Sequence, residues 1–157
     1  MTMTQDMPAS SGRSLIAAYR GVLNLAGRVP LSLIQLAGRI AVALVFWQSA
    51  QSKLASWPVT LQLFAFEYNL PLISPAIAAP LATAAEIVGA ALLFLGLFAR
   101  IGALVLLGVT AVIQIFVFPG HWGEHLMWAS LLLLVFSRGA GVISLDHLAD
   151  SYFGRRA

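Results

Sequence analysis

The sequence predicts an all-α integral membrane protein, a four-helix bundle with interfacial amphipathic helices at its N- and C-terminal ends. Three observations carry this. Of the 157 residues 60% are hydrophobic and 10% charged, against roughly 25% charged in a soluble domain. Lipid must therefore act as solvent for most of the apolar surface. The apolar residues come in stretches close to the roughly 20 residues that a helix needs to cross a hydrocarbon core. Prolines, glycines and arginines punctuate those stretches where spans should begin and end.

Residues 1–12 are polar and read as a disordered N-terminus, without the pattern of a cleavable signal peptide. Over 13–29, Arg13, Arg20, Asn24 and Arg28 form one helical stripe. Leu15, Ile16, Tyr19, Val22, Leu23 and Ala26 fill the other side. A helix with a basic stripe and an apolar face lies on anionic headgroups rather than crossing them. The transmembrane domain is expected over 30–138, with spans at about 31–50, 76–99, 102–118 and 123–137. Pro30 opens the first span, where its missing N–H costs nothing. The aromatic-rich "SWPVTLQLFAFEYNLPLISP" predicts a short interfacial helix over 58–68 on the opposite side, ended by Asn69 and Pro71. Ser74-Pro75 opens the second span, with Pro80 an early kink, and Arg100 and Gly102 mark the turn into the third. The fourth is short and starts in "HWGEH". The remainder, 139–157, is a tail in which Ser144 caps a small helix with Leu145, Leu148 and Tyr152 on one face. Arg13, Arg20, Arg28, Arg100, Arg138, Arg155 and Arg156 would share one side and Lys53 the other, which by the positive-inside rule puts both termini in the cytoplasm of a bacterial inner membrane.

Charges inside the spans attract notice. Gln35, Arg39, Val42, Phe46, Ser49 and Lys53 are spaced 4, 3, 4, 3 and 4, a helix seam with polar groups at both ends. Ala82, Glu86, Gly89, Leu93, Gly96 and Arg100 repeat the spacing on the second span, where Gly89 and Gly96 would let a neighbouring backbone approach. A lone charge at mid-membrane costs roughly 3 kcal/mol or more. Depth counting from the cytoplasmic ends sets Arg39 and Glu86 ~7 Å apart, within reach of an extended arginine. The expectation is an Arg39–Glu86 pair in the bundle interior, handling a proton or ligand or simply fixing helix register. At the outer end lie Gln114 and the i, i+4 pair His121 and His125 with Glu124 between them. Two imidazoles at that spacing can share a metal, but the segment contains a glycine and offers no third obvious ligand. Histidines at a wet interface account for it equally.

Several chemistries are set aside. The chain has no cysteine, so no thiol exchange and no cysteine-ligated cofactor is expected. No Gly-rich phosphate loop, nucleophile elbow, bis-histidine haem pattern or internal repeat is present. The basic pI near 10 reflects dispersed residues flanking apolar runs, which points to membrane topology and not to nucleic acid.

Four pieces of the sequence resemble the DoxX family of small bacterial membrane proteins: "GRIAVALVFWQSAQSKL", "AEIVGAALLFLGLFARIGAL", the aromatic segment between them, and the closing "GAGVISLD". Together they cover roughly 35–148. The resemblance implies a four-helix inner-membrane bundle whose recurrent polar positions are Arg39, Lys53, Glu86, Arg100 and Asp146. It also implies association with redox processes, such as quinone-coupled sulfur oxidation and oxidative-stress complexes, or with enzymes that modify small metal-binding peptides.

Three functions follow as expectations. The first is a redox-associated accessory subunit, more an accessory than a stand-alone enzyme, with a quinone-like or small apolar ligand near Glu86 and Arg39, supported by Gln35, Lys53, Arg100, Gln114 and Asp146. No electron carrier is encoded, so electrons would come from a redox partner protein. The second is a non-catalytic anchor or assembly module. The third, a small transporter or exporter, would need a homo-oligomer, because the first half of the third span, "GALVLLGVTAV", offers only Thr110 as lining.

Overall fold

The computed structural model describes residues 10–153, with side chains described for 14–152. The described residues are helical with no strand, in the order α1 (Ser10–Ala26), α2 (Leu31–Ala55), α3 (Trp57–Leu63), α4 (Pro75–Leu95), α5 (Ala99–Val112), α6 (Trp122–Arg138) and α7 (Leu145–Phe153). Two π-helical turns, Phe64–Tyr68 and Ile113–Val117, continue α3 and α5. The chain divides into an N-terminal unit ending at Leu31 and a second unit from Ser32. Within the first unit, α1 leaves Leu15, Ile16, Tyr19, Val22 and Leu23 exposed. The predicted disordered segment lies largely outside the described residues; its last three residues are already helical.

Three helices are long and apolar enough to cross a membrane: Leu31–Ala55, Pro75–Leu95 and Ala99–Val117. The chain is an all-α membrane protein. α6, at 17 residues, is shorter. Their exposed faces carry Leu44, Trp47, Leu81, Val88, Ile101 and Leu104. Such an apolar exterior matches lipid and would be costly in water.

One core joins α2, α4, α5 and α6. Val42, Ala43 and Phe46 pack with Ala90 and Leu93, Ala103 and Leu106, and Leu132 and Val135. Small residues set the α4–α5 approach. A Cβ added at Gly89 would fall 2.6 Å from Leu106 Cγ, and one at Gly102 would fall 2.9 Å from Leu92 Cβ. With no hydrophobic drive between helices in lipid, such close backbone contact is a main source of association energy. A second cluster beneath the α3 segment joins Phe64, Ala78 and Ala79 to Trp57, Leu61 and Tyr68.

The helix ends differ from expectation at informative places. α2 runs on past residue 50 to Ala55, carrying Lys53 inside the helix at 6% exposure. α4 continues through Pro80 and stops at Leu95 rather than 99, because Gly96 adopts φ +64 and Leu97 N–H donates to the Leu92 carbonyl. This is a Schellman-type end. Gly96 is therefore a helix stop and also a point of close approach, to Arg39 and Ser144. The turn into α5 is centred on Gly96–Phe98, and Arg100 already lies in the first turn of the helix, exposed.

Candidate functional site

Polar side chains gather at two levels of the bundle. At the α4 C-terminal end, Arg39 is 1% exposed. It donates through Nη1 to the Ala140 carbonyl at 2.7 Å and through Nη2 to the Ile143 carbonyl at 3.0 Å. Gln35 donates to the Gly139 carbonyl at 3.3 Å. Gly139 and Gly141 both have φ +82, and a Cβ on Gly141 would fall 2.7 Å from Gln35 Oε1. Only a glycine backbone lets the chain pass there at low cost. Asp146 accepts from Phe98 N–H at 2.7 Å and Ala99 N–H at 3.0 Å, while its own N–H donates to the Gly96 carbonyl at 2.9 Å. The carboxylate satisfies orphan donors at the start of α5 and complements the helix dipole. Ser144 Oγ accepts from His147 N–H at 3.2 Å. This cluster is a clasp that ties α2, the α4–α5 turn and the "GAGVISLD" segment together.

The expected Arg39–Glu86 pair does not form. Glu86 pairs with Lys53, whose Nζ stands 2.8 Å from Oε1 and 2.9 Å from Oε2, and 2.8 Å from Ser49 Oγ. The Ser49 hydroxyl in turn donates to Glu86 Oε1 at 3.3 Å. All three ammonium protons are used. The reason is axial register. Arg39 meets the chain beside Gly96, and Glu86 lies ten residues before Gly96 just as Ser49 lies ten after Arg39. On antiparallel helices both steps are about 15 Å, which brings Glu86 level with Ser49 and beyond reach of Arg39. Thr60 Oγ1 donates to the Lys53 carbonyl at 2.7 Å, joining the end of α2 to α3.

Two cavities flank the pair. The first, about 250 Å³, is lined by Lys53, Glu86 and Tyr68 and otherwise by apolar residues, among them Phe64, Ala82, Val109 and Ile113. Leu81, Gly108 and Val112, exposed on the bundle's outer face, also line it. The second, about 280 Å³, is lined by Ser49, Phe46, Tyr68, His121, Glu124 and His125 among others. Tyr68 and Ile113, one from each π turn, line both. A π turn adds a residue to the helical repeat and redirects side chains, and such turns recur at functional sites. Burial pushes the Tyr68 phenol above its ordinary value, with the charges of Glu86 and Glu67 adding to the effect.

Gln114 and the histidines complete the second site. Gln114 donates through Nε2 to the Pro119 carbonyl at 2.8 Å, so its Oε1 faces His125 Nδ1 at 2.6 Å. That network assigns the proton to Nδ1. His125 is 3% exposed and its ring lies 5.1 Å from Trp128. His121 precedes α6 as its N-cap residue, so the i, i+4 spacing is not helical throughout and the two imidazole centroids are 6.4 Å apart. Among the described residues no group of three or more His, Asp or Glu is placed to hold a metal. His121, Glu124 and His125 line the second cavity together with Phe46, Phe118 and Trp128. Of the predicted residues, Glu86 and Lys53 come together, Gln114 joins His125, Gln35, Arg39 and Asp146 form the clasp, and Arg100 stands apart. Ser49 and Tyr68 are the site residues that the sequence reading did not single out. Ser49 was legible, since it sits on the polar seam one helical turn before Lys53.

The fold and site define a class: a small helical membrane protein with a buried ion pair lining an apolar cavity. The DoxX family model matches residues 34–119, more than half of the chain, and the protein belongs to the DoxX family. Comparisons with curated proteins and with solved structures gave no match.

Proposed function

We propose that this protein binds a small apolar ligand of the quinone or hydroquinone class within the bilayer, as an accessory subunit to a redox partner. The ligand's oxygen-bearing head would sit in the first cavity against the Lys53 ammonium and the Glu86 carboxylate, and its tail would leave past Leu81 and Val112 into lipid. One observation carries the reading: an apolar cavity is lined by a buried pair whose Glu86 carboxylate keeps lone pairs to accept from a ligand hydroxyl, and whose ammonium can turn one N–H from Ser49 to a ligand oxygen. Ligand sites combine apolar walls with a few convergent polar groups in this way. Lys53 replaces Arg39 in the ligand-handling role, because Lys53 lines the cavity beside Glu86 and Arg39 does not. Electrons would come from the partner, since the chain encodes no carrier.

The membrane arrangement is part of the proposal. α6 is the fourth crossing, α1 lies in the interface, and the arginine distribution orients both termini to the cytoplasm of a bacterial inner membrane. The anchor reading would need no cavity at the ion pair, so the same experiment separates the two.

The test is calorimetric titration of purified protein in mild detergent with a short-chain benzoquinone. Gly108 lines the cavity, and a Cβ added there meets nothing within 4 Å. Gly108→Leu is therefore tolerated, and a bulky side chain at this exposed lining position should obstruct the cavity's outer side and abolish binding while the thermal midpoint holds. Saturable wild-type binding that Gly108→Leu removes supports the reading. Absence of wild-type binding, or binding unaffected by Gly108→Leu, overturns it.

A further inference from the structure

The second cavity has no part in holding the ligand proposed above, yet it is lined by Ser49, whose hydroxyl bonds both partners of the pair. Lys53 and Glu86 line the first cavity and Ser49 lines the second. The Ser49 hydroxyl touches both partners of the pair, at 2.8 Å from Lys53 Nζ and 3.3 Å from Glu86 Oε1. The cluster thus stands between an apolar cavity, lined by the pair, and a more polar one, lined by Ser49. Exposed His121 and Glu124, buried His125 and half-buried Tyr68 line the second cavity together with apolar side chains such as Phe46 and Trp128. Its volume exceeds what several waters occupy at about 30 Å³ each.

We propose that the Lys53–Ser49–Glu86 cluster exchanges protons with water through this second cavity, from the His121 end of the bundle alone. The proposal rests on the ligand reading above for the source of the proton, and on the cavity for its route. A hydroxyl proton of a ligand in the first chamber moves to a Glu86 carboxylate oxygen, its bonding electron pair remaining on the ligand oxygen. Glu86 passes that proton to Ser49 Oγ as the hydroxyl gives its own to a water in the second chamber. Glu86 and Ser49 are restored, and the net change is a ligand oxyanion and a hydronium ion; no electron moves in this step. The ionisable groups facing the route are Glu86 on α4, Lys53 on α2, Tyr68 on the first π turn, and His121, Glu124 and His125 at the start of α6. At the other end of the bundle the clasp closes the interior: Arg39, Gln35 and Asp146 are engaged with backbone groups. That makes the route one-sided.

The absence of cysteine makes the test direct. Single-cysteine variants Ser49→Cys and Val45→Cys, the second an apolar residue lining the same cavity, are reconstituted in oriented vesicles. They are exposed to a membrane-impermeant cationic thiosulfonate from either side. Gly120→Cys, where an added Cβ meets nothing within 4 Å, is the water-exposed control, and Ile101→Cys on the apolar exterior is the inert one. Both cavity variants are expected to react from the same side as Gly120→Cys, within an order of magnitude of its rate, and to slow at least as much again when Glu124→Trp narrows the mouth. If Ser49→Cys does not fold, Val45→Cys carries the test alone. Inert cavity cysteines beside a reactive Gly120→Cys, or reaction from both sides, overturn the proposal. Labelling is read without ligand. A dry cavity with intact quinone binding sinks the proton route alone, whereas a wet, one-sided cavity without quinone binding sinks the ligand reading alone.

Discussion

Removing one partner of the Lys53–Glu86 pair should cost far more than removing both. The side chains are 7% and 1% exposed, so solvent screens little of the interaction. At 2.8 Å the Coulomb attraction is about 6 kcal/mol at an effective dielectric near 20. Most of it offsets the cost of taking two charges out of water. In Glu86→Leu the ammonium keeps only Ser49 Oγ as an acceptor, and a broken buried pair costs about 3–5 kcal/mol. The lower end applies here, because a chain unfolded in detergent still finds polar partners. Lys53→Met should lose a similar amount by stranding the carboxylate. The double variant replaces both charges by apolar groups of similar volume and should return to within about 1 kcal/mol of wild type or exceed it. Denaturant titration in mild detergent, followed by tryptophan fluorescence, measures all four corners of the cycle. Single variants that lose under about 1 kcal/mol, or a double variant worse than either single one, would refute a dry, fully paired ion pair.

Three further outcomes follow from the geometry. Gly96→Ala should lower the thermal midpoint sharply, because an L side chain at φ +64 is strained and its Cβ would crowd the Arg39 guanidinium and fall 2.6 Å from Ser144 Cβ. Differential scanning fluorimetry reads it, with Gly108→Ala as a control expected to be neutral or better. Gly89→Ala should destabilise through its 2.6 Å approach to Leu106 Cγ. Combining it with Leu106→Ala should recover part of the loss, a coupling that the same melts can resolve. Asp146→Ala should cost about 1 kcal/mol in denaturant titration through loss of the α5 cap, while leaving quinone binding intact.

The seam from Gln35 to Lys53 was legible because burial in a bundle imposes the 3.6-residue period. Composition alone made the protein a membrane protein. The partner of Glu86 was not legible, for a physical reason. Depth counting depends on where each helix ends, and α2 continues to Ala55 while α4 stops at Gly96. Those shifts exchange Arg39 for Lys53. Lys53 stood on the same inward seam, but its charge was assigned to marking the opposite side of the membrane, and Glu86 was paired with Arg39 instead. The role of Arg39 was hidden because its acceptors are backbone carbonyls of Ala140 and Ile143, more than a hundred residues away and without side-chain signal. The π turns were also invisible, since one extra residue per turn leaves no compositional mark. Yet Tyr68 and Ile113 owe to them their places on both cavities.

The central claim is that the cavity lined by Lys53 and Glu86 holds an apolar, oxygen-headed ligand. Its most direct test is organic extraction of protein purified in mild detergent, with the extract identified by mass spectrometry, for wild type and Gly108→Leu side by side. A quinone near one per chain in wild type and absent from an equally stable Gly108→Leu is the predicted result. An extract without quinone from the wild type, or the same quinone content in both proteins, would contradict it.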